Sequence, residues 1–188
     1  MKLVQKLVAA AMLAAPLCAF AFPIAASGTE GLTVLAGTSG DIVATYQGNS
    51  ASYSNDLYLV TDDGITGNDV FIFNNHASAV GSTFNLGGFA VGTALTFRLH
   101  VNDTNTDFFT GASGNPDGHF HARVQENWVA GSTLVSFEDL LNGPFDYNDL
   151  SFSFTNTVTS IPGQVPEPAS LLLFGLGLAG LLGARRRS

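Results

Sequence analysis

Residues 138–149, the acidic loop, hold the densest group of oxygen-bearing side chains in the chain. A Gly-Pro pair at residues 143–144 divides the segment, and acidic or amide residues stand on both sides of it. Crowded carboxylates repel one another, and a hard cation that takes about six to eight oxygen ligands relieves that repulsion. The acidic loop therefore predicts a calcium site, for which the candidate ligands are Glu138, Asp139, Asp146, Asn148 and Asp149. An alternative stays open, because Asp and Asn also cap turns by accepting hydrogen bonds from backbone amides.

A second acidic run, Asp103, Asn105 and Asp107, begins like the ligand ladder of an EF-hand loop. The run then departs from that pattern. Phe108 stands where a glycine should make the bend, and Gly114 stands where a bidentate glutamate should close the site. We therefore expect no EF-hand, and a looser calcium loop is the alternative that the spacing leaves.

His119 and His121 are two residues apart, which would place both on one face of a strand together with Arg123. Arg98 and His100 have the same spacing. If the two strands are neighbours, these basic side chains gather on one sheet face and pair with carboxylates of the acidic loop. A zinc site at the histidines would need a third ligand, so hydrogen bonding within or beside the sheet is their expected role.

The stretches around these residues alternate between apolar and polar side chains, which is typical of half-buried strands. Leu95–Val101 and Leu150–Thr155 show the pattern most clearly. Clusters of Gly, Asn, Asp and Ser, which favour turns, separate them from the other candidate strands. Those candidates are residues 32–36, 42–46, 56–61, 70–73, 120–124 and 133–137. Short strands at this spacing predict an all-β fold, an antiparallel β-sandwich of jelly-roll type.

The body of the chain is strongly acidic. Between Phe22 and Gln164 there are fourteen carboxylates, whereas Arg98 and Arg123 are the only Lys or Arg residues, so the formal charge is −12. Nucleic acid and anionic lipid are therefore excluded as partners, since like charge repels and no basic patch can release counterions. Cations are the favoured partners.

The N-terminus has the pattern of a secretory signal peptide. Two lysines precede an apolar run at residues 7–17, and Ala19 and Ala21 are small residues at the positions that a signal peptidase reads. We expect cleavage after Ala21, with Ala26 as the alternative. Cleavage would remove Cys18, the single cysteine, so we expect no disulfide in the mature body.

Residues 165–188 combine a Pro-acid-Pro motif, an uncharged stretch and a basic terminus. The motif is Val165, Pro166, Glu167 and Pro168, and the basic residues are Arg185, Arg186 and Arg187. The stretch 169–184 would be about 24 Å long as a helix, slightly less than the ~30 Å hydrocarbon core of a bilayer. Because arginines stay on the cytoplasmic side, the body would lie outside, on a transient or retained inner-membrane anchor. An ordinary single-pass anchor is the alternative.

This C-terminal segment resembles the PEP-CTERM sorting signal of Gram-negative bacteria. The resemblance implies recognition by an exosortase, a membrane transpeptidase, with removal of the tail and delivery of the body to the outer surface or the exopolysaccharide matrix. The body resembles a family of secreted bacterial β-domains in which a Phe-Glu-Asp-Leu run precedes an Asp-Tyr-Asn-Asp motif, here residues 137–140 and 146–149. This second resemblance implies no activity.

The predicted organisation has four parts: a signal peptide at residues 1–21, an acidic β-sandwich at 22–154, a linker at 155–164 that is rich in Thr, Ser, Pro and Gly, and the sorting signal at 165–188. A hydrophobic helix is expected at each end, the signal helix and the stretch 169–184. The expected function is that of an exported structural protein of the cell surface or exopolysaccharide matrix.

The first alternative is a glycan-binding module of the biofilm matrix, in which exposed aromatic rings stack on sugars. The candidate rings are those of Tyr53, Trp128, Phe145 and Tyr147. A carbohydrate-active enzyme with paired carboxylates is a weaker alternative. We expect no enzyme, because the sequence contains no nucleophile elbow, zinc-binding helix or phosphate-cradling glycine loop.

Deletion of residues 165–188 should release the body in soluble form, since the sorting motif and the hydrophobic stretch are lost together. Cell fractionation followed by immunoblotting measures the result. Continued retention of the truncated chain at the cell surface would contradict the sorting prediction.

Overall fold

The computed structural model describes residues 21–61, 65–111 and 114–160. These residues form twelve strands and one short 3-10 turn at Thr66–Asn68. The strands are β1 Val34–Ala36, β2 Asp41–Gly48, β3 Asn55–Leu59, β4 Val70–Asn74, β5 Thr83–Gly88, β6 Ala94–Leu95, β7 Phe97–Val101, β8 Thr106–Phe109, β9 Ala122–Val129, β10 Ser132–Phe137, β11 Leu150–Thr155 and β12 Thr157–Thr159. The prediction of an all-β, antiparallel, sandwich-like fold is confirmed.

Two larger sheets pack their apolar faces together. One has five strands in the order β5-β2-β11-β10-β9, and the other has four in the order β4-β3-β7-β8. Phe97 of β7 crosses between them, with its ring centroid 4.2 Å from that of Phe154 and 5.7 Å from that of Phe152, both on β11. All three side chains are fully buried. The phenylalanines therefore join the two layers.

A third, small sheet in the order β12-β1-β6 connects the layers at one end. Its β6 lies one residue before β7, and its β12 lies one residue after β11. The residue between β11 and β12, Asn156, has φ 58°, a left-handed conformation that asparagine tolerates better than most residues. Each outer strand of the small sheet thus continues a strand from a different layer, with β1 between them.

Each predicted strand overlaps an observed one, but Leu95–Val101 is divided between β6 and β7 in different sheets, and β9 begins at Ala122 rather than at residue 120. The sequence prediction missed β5, β8 and β12. β5 ends in Gly87-Gly88, and β8 begins inside the acidic run that suggested a loop. The linker prediction for residues 155–164 is wrong at Thr157–Thr159, which pair with β1. Threonine suits both linkers and strands because its β-branched side chain favours extended backbone, so composition did not separate the two.

The predicted helices at the two ends lie outside the described residues, and so do Ala19, the sorting motif and the C-terminal arginines. Ala21 is the first described residue and is exposed. Within the described part of the chain, no helix has the length and apolar character needed to cross a bilayer.

Replacement Phe97→Ala should lower the free energy of unfolding by about 3–5 kcal/mol, because it leaves a cavity between the two sheets. Phe71→Ala is the matched control, since Phe71 lies on β4 with its side chain 47% exposed. Urea unfolding of both variants measures the difference. Similar losses in the two variants would show that Phe97 does not hold the sheets together.

Candidate functional site

The acidic loop joins β10 to β11, two neighbouring strands in the interior of the five-stranded sheet. Phe137 pairs with Leu150 at the end of that ladder. Glu138 and Asp149 are the next residues beyond this pair, and the Asp149 amide donates to the Phe137 carbonyl at 3.1 Å. Opposed residues of antiparallel strands have Cβ atoms about 4.5–5.5 Å apart. The strand register therefore brings the two acids to the mouth of one hairpin.

Asp146 completes a group of three acids with Glu138 and Asp149. Each of the three offers a carboxylate oxygen, and these oxygens lie within 4.8 Å of one another. Glu138 and Asp149 are buried, whereas Asp146 is exposed. The group lines a cavity of about 440 Å³, which we call the acidic cavity. Its other lining residues are Ser50, Ser52, Tyr53, Asp139, Leu140, Pro144 and Asn148.

These carboxylates also cap the turns of their own loop. Glu138 accepts from the amides of Leu140 and Asp146, both at 3.1 Å, through its two different oxygens. Asp149 Oδ2 accepts from the Asp139 amide at 2.8 Å, and Asp146 Oδ2 accepts from Asn148 Nδ2 at 2.6 Å. A carboxylate has about four lone-pair sites, so capping does not use up its capacity. The two interpretations of the sequence, capping and cation binding, are geometrically compatible.

Asp139 plays a different part from the other candidate ligands. It lines the acidic cavity but is not one of the three clustered acids. Its Oδ2 accepts from Asn55 Nδ2 at 2.7 Å, and Asn55 is a fully buried residue at the start of β3. Asp139 therefore links the acidic loop to the four-stranded sheet.

The electrostatics of the acidic cavity oppose ionisation. Burial, followed by the nearby negative charges, raises the pKa of Asp149 from 3.8 to about 7. Burial also raises the pKa of Glu138 and that of Asp139 above their ordinary values, and the charge of Asp146 adds to both effects. Hydrogen bonds from the loop amides oppose these increases without cancelling them. The carboxylates thus lack sufficient neutralising charge in the protein alone.

The cations of the fold lie elsewhere. Among the described residues, no ion pair includes an acid of the acidic loop. Arg98 pairs with Asp69 and Asp107, each at 2.9 Å, and Arg123 pairs with Glu30 at 2.7 Å. The expected single basic face is wrong, because the strands that carry the two arginines, β7 and β9, belong to different sheets.

Both acids of the second predicted calcium run accept hydrogen bonds from other residues of the protein. Asp103 accepts from the Ser54 amide at 2.7 Å, and Asp107 accepts from Arg98 and His100. Asn105 has φ 53° in the turn between β7 and β8. The structure therefore does not gather these side chains around one point, and cation binding there stays a prediction.

The histidine prediction is also wrong in its geometry, because β9 begins only at Ala122. His119 is exposed, whereas His121 is fully buried with its ring stacked on Phe108 at 3.8 Å. His121 Nε2 lies 3.0 Å from Asp117 Oδ2, and its Nδ1 lies 3.0 Å from the Glu138 carbonyl oxygen. The expected hydrogen-bonding role applies to His121, but the two histidines do not share a face.

Asp117 holds the acidic loop in position, a role that the sequence prediction did not identify. Its carboxylate accepts from the amides of Asn142 and His119 and contacts the His121 ring. Burial opposes ionisation of Asp117, but these contacts outweigh it, so the pKa of Asp117 lies well below its ordinary value. Asp117 therefore holds the acidic loop against the segment before β9. The Asn-Pro-Asp-Gly sequence at 115–118 indicated a turn but gave no sign of this long-range contact.

Residues 144–148 separate the acidic cavity from a second one. Pro144, Asp146 and Asn148 line the acidic cavity, whereas Phe145 and Tyr147 line a cavity of about 280 Å³, which we call the aromatic cavity. The φ angles of Phe145 and Tyr147 are 58° and 57°, which is uncommon for bulky residues and is often associated with functional sites. The alternation of this short segment therefore builds two sites back to back.

Comparison with protein families gives one match, in which residues 164–187 fit the family model described as the PEP-CTERM protein-sorting motif. The match confirms the resemblance of the C-terminal segment and supports a PEP-CTERM protein. The motif implies exosortase-dependent sorting of an exported protein associated with the cell envelope of a Gram-negative bacterium. The comparisons with curated proteins and with solved structures found no match. The resemblance of the body to a secreted β-domain family stays a prediction.

The raised pKa of Asp149 predicts how stability depends on pH in metal-free protein. A carboxyl whose pKa is higher in the folded state binds more protons there, so its stabilising contribution is complete below pH 3.8 and is lost as pH rises through about 7. Asp149→Asn removes this loss, and the amide oxygen can still accept from Asp139. The free energy of unfolding in EDTA, variant minus wild type, should therefore increase as pH rises from 3.8 to about 7 and level off above it.

Asp41→Asn, at an exposed acid at the start of β2, is the control and should show a flatter difference. Urea unfolding at each pH measures both variants. A difference for Asp149→Asn that stays constant with pH would contradict the electrostatic account of the acidic cavity.

Proposed function

We propose that this chain is an exported structural protein of the cell surface or exopolysaccharide matrix, and that calcium bound in the acidic cavity stabilises its β-sandwich. Signal peptidase and an exosortase act on it during export in this proposal. The sorting motif at residues 164–187 supports export. The observation that carries the calcium part is the cluster of Glu138, Asp146 and Asp149, with oxygens within 4.8 Å of one another.

Calcium suits this cavity better than the other common cations. It accepts about six to eight oxygen ligands in flexible geometry, whereas magnesium demands near-octahedral geometry and retains water. The cavity supplies carboxylates together with the side chains of Ser50, Ser52 and Asn148, which are oxygen donors. Zinc prefers nitrogen and sulfur ligands, and among the described residues neither a histidine nor a cysteine lines the acidic cavity.

A bound cation would stabilise the fold in two ways. It would offset the burial and the repulsion that raise the pKa of Asp149, and it would hold Asp146 to the hairpin that carries Glu138 and Asp149. The acidic loop also contains four residues with positive φ, which are Asn142, Gly143, Phe145 and Tyr147. Such conformations persist where the surroundings determine them, and calcium would add to the contacts that do so.

We propose binding rather than catalysis at this cavity. The oxygens of three carboxylates converge within 4.8 Å of one another, an arrangement that suits a bound cation. Glu138 and Asp149 also accept hydrogen bonds from the loop backbone, which supports a static role. Incubation with polysaccharides should give no reducing ends, and release that Glu138→Gln abolishes would favour the enzyme alternative.

Calcium should raise the melting temperature of the full-length protein by roughly 10 °C at a free concentration of ~100 Kd, where binding contributes about 2.7 kcal/mol. Asp146→Asn together with Asp149→Asn should abolish this gain, because two of the three clustered carboxylates are lost. Differential scanning calorimetry with calcium and with EDTA measures it.

Asp103→Asn is the matched control, since it removes one exposed acid of the second predicted run and should leave the gain intact. A gain that survives the double substitution but disappears in the control would move the calcium site to the turn between β7 and β8. A wild-type protein with no gain would refute the calcium proposal.

A further inference from the structure

The aromatic cavity lies on the other side of residues 144–148 from the acidic cavity. Its lining residues are Glu30, His119, Phe120, Arg123, Phe145 and Tyr147. They come from the segment before β1, the segment before β9, β9 itself and the acidic loop. None of the three clustered acids contributes to its lining, so its chemistry is separate from cation binding.

Two aromatic walls of the cavity rest against glycine backbone. A Cβ atom added to Gly31 would lie 2.6 Å from the Phe120 ring, and one added to Gly143 would lie 2.5 Å from the Phe145 ring. A real Cβ atom does not lie this close to a ring atom. Each ring therefore occupies space that is available because the residue beside it is glycine. Phe120 is 43% exposed. An exposed ring that is fixed in position can stack on a ligand at little cost in conformational entropy.

The ion pair that lines the aromatic cavity is supported by a tyrosine ring. Arg123 Nε donates to Glu30 Oε1 at 2.7 Å, and the guanidinium carbon lies 4.2 Å from the centroid of the Tyr147 ring. The Tyr147 hydroxyl in turn donates to the Phe120 carbonyl at 3.0 Å. Tyr147 is only 5% exposed, so it supports the arginine and cannot itself be a stacking surface.

The ion pair leaves hydrogen-bonding capacity for a ligand. Only Nε of Arg123 donates to the protein within the described ranges, so its terminal amino groups can donate outward. Glu30 retains further lone pairs, although Oε1 accepts from Arg123 and Oε2 from the Gly28 amide. A carboxylate can accept from one hydroxyl of a ligand, and the guanidinium beside it can donate to the neighbouring hydroxyl. Charge-assisted bonds of this kind are among the stronger ones.

This combination selects a class of ligand. A wholly apolar ligand would leave the Arg123–Glu30 pair desolvated without new partners, and a polyanion would meet Glu30 and a strongly acidic body. A pyranose ring has an apolar face of C–H groups and a rim of adjacent hydroxyls. Its face matches the exposed ring of Phe120 and the half-buried ring of Phe145, and its rim matches the ion pair.

We propose that the aromatic cavity is a saccharide-binding site that takes a pyranose unit of a polysaccharide. This proposal names a partner for the exported protein and rests on its export, but it does not depend on calcium. It also revises the set of stacking residues expected from the sequence. Phe145 belongs to the site and Tyr147 supports it, whereas Tyr53 lines the acidic cavity and Trp128 lies on β9 outside both linings.

Affinity electrophoresis of the full-length protein tests the site. Native gels contain dextran, galactomannan, xylan or mixed-linkage glucan, and the detergent carries no sugar headgroup. At least one polysaccharide should retard the protein, and Phe120→Ala and Glu30→Gln should each weaken that binding by about tenfold. Phe71→Ala, which removes a ring of similar exposure from the four-stranded sheet, should leave the retardation unchanged.

Each gel is run with calcium and again with EDTA. Retardation that Phe120→Ala weakens and Phe71→Ala does not would support the site, even in a protein that calcium fails to stabilise. Absence of retardation by every polysaccharide would overturn it, and so would retardation that survives both Phe120→Ala and Glu30→Gln. A calcium-dependent melting temperature in such a protein would leave the proposed structural function standing.

Discussion

Repulsion among carboxylates at the mouth of the β10–β11 hairpin is the constraint on which the functional half of this molecule depends. The strand register forces Glu138 and Asp149 together, and the loop returns Asp146 to the same point. Backbone amides of the loop satisfy part of this charge, but the raised pKa of Asp149 shows that they do not balance burial and like charge. A divalent cation would remove the remaining imbalance. The proposed calcium-dependent stability follows from that deficit.

The acidic loop contributes side chains to both cavities. In residues 144–148, side chains alternate between the acidic and the aromatic cavity, which an extended segment does naturally. Here the alternation requires left-handed backbone at Phe145 and Tyr147. Asp117 holds one side of the loop through the Asn142 amide, and Asp139 holds the other through Asn55. Neighbouring residues of this segment thus line two different cavities on a loop that is held at both sides.

The two arginines of the body explain why the acidic cavity remains without a counter-charge from the protein. Arg98 is almost fully buried, where it pairs with Asp69 and Asp107 and lies 4.3 Å from the centroid of the Tyr58 ring. Arg123 is held by Glu30 and Tyr147 in the aromatic cavity. Breaking either arrangement would leave a charge poorly solvated. With so few cationic side chains in the body, the acidic cavity can be neutralised by protonation or, as proposed, by an external cation.

Alternation of apolar and polar residues determined the class of fold and most strands, because a half-buried strand requires that pattern. The oxygen-rich acidic loop likewise singled out Glu138, Asp146 and Asp149 as candidate ligands. The strands on both sides of the loop bring its two ends together. The C-terminal residues identified the sorting signal directly, because such a signal is read as linear sequence. Only the tertiary structure decided that β7 and β9 lie in different sheets, that Asp139 binds Asn55 and that Arg123 contacts both Glu30 and Tyr147. These contacts join residues far apart in the chain, and local periodicity carries no information about which distant strands become neighbours.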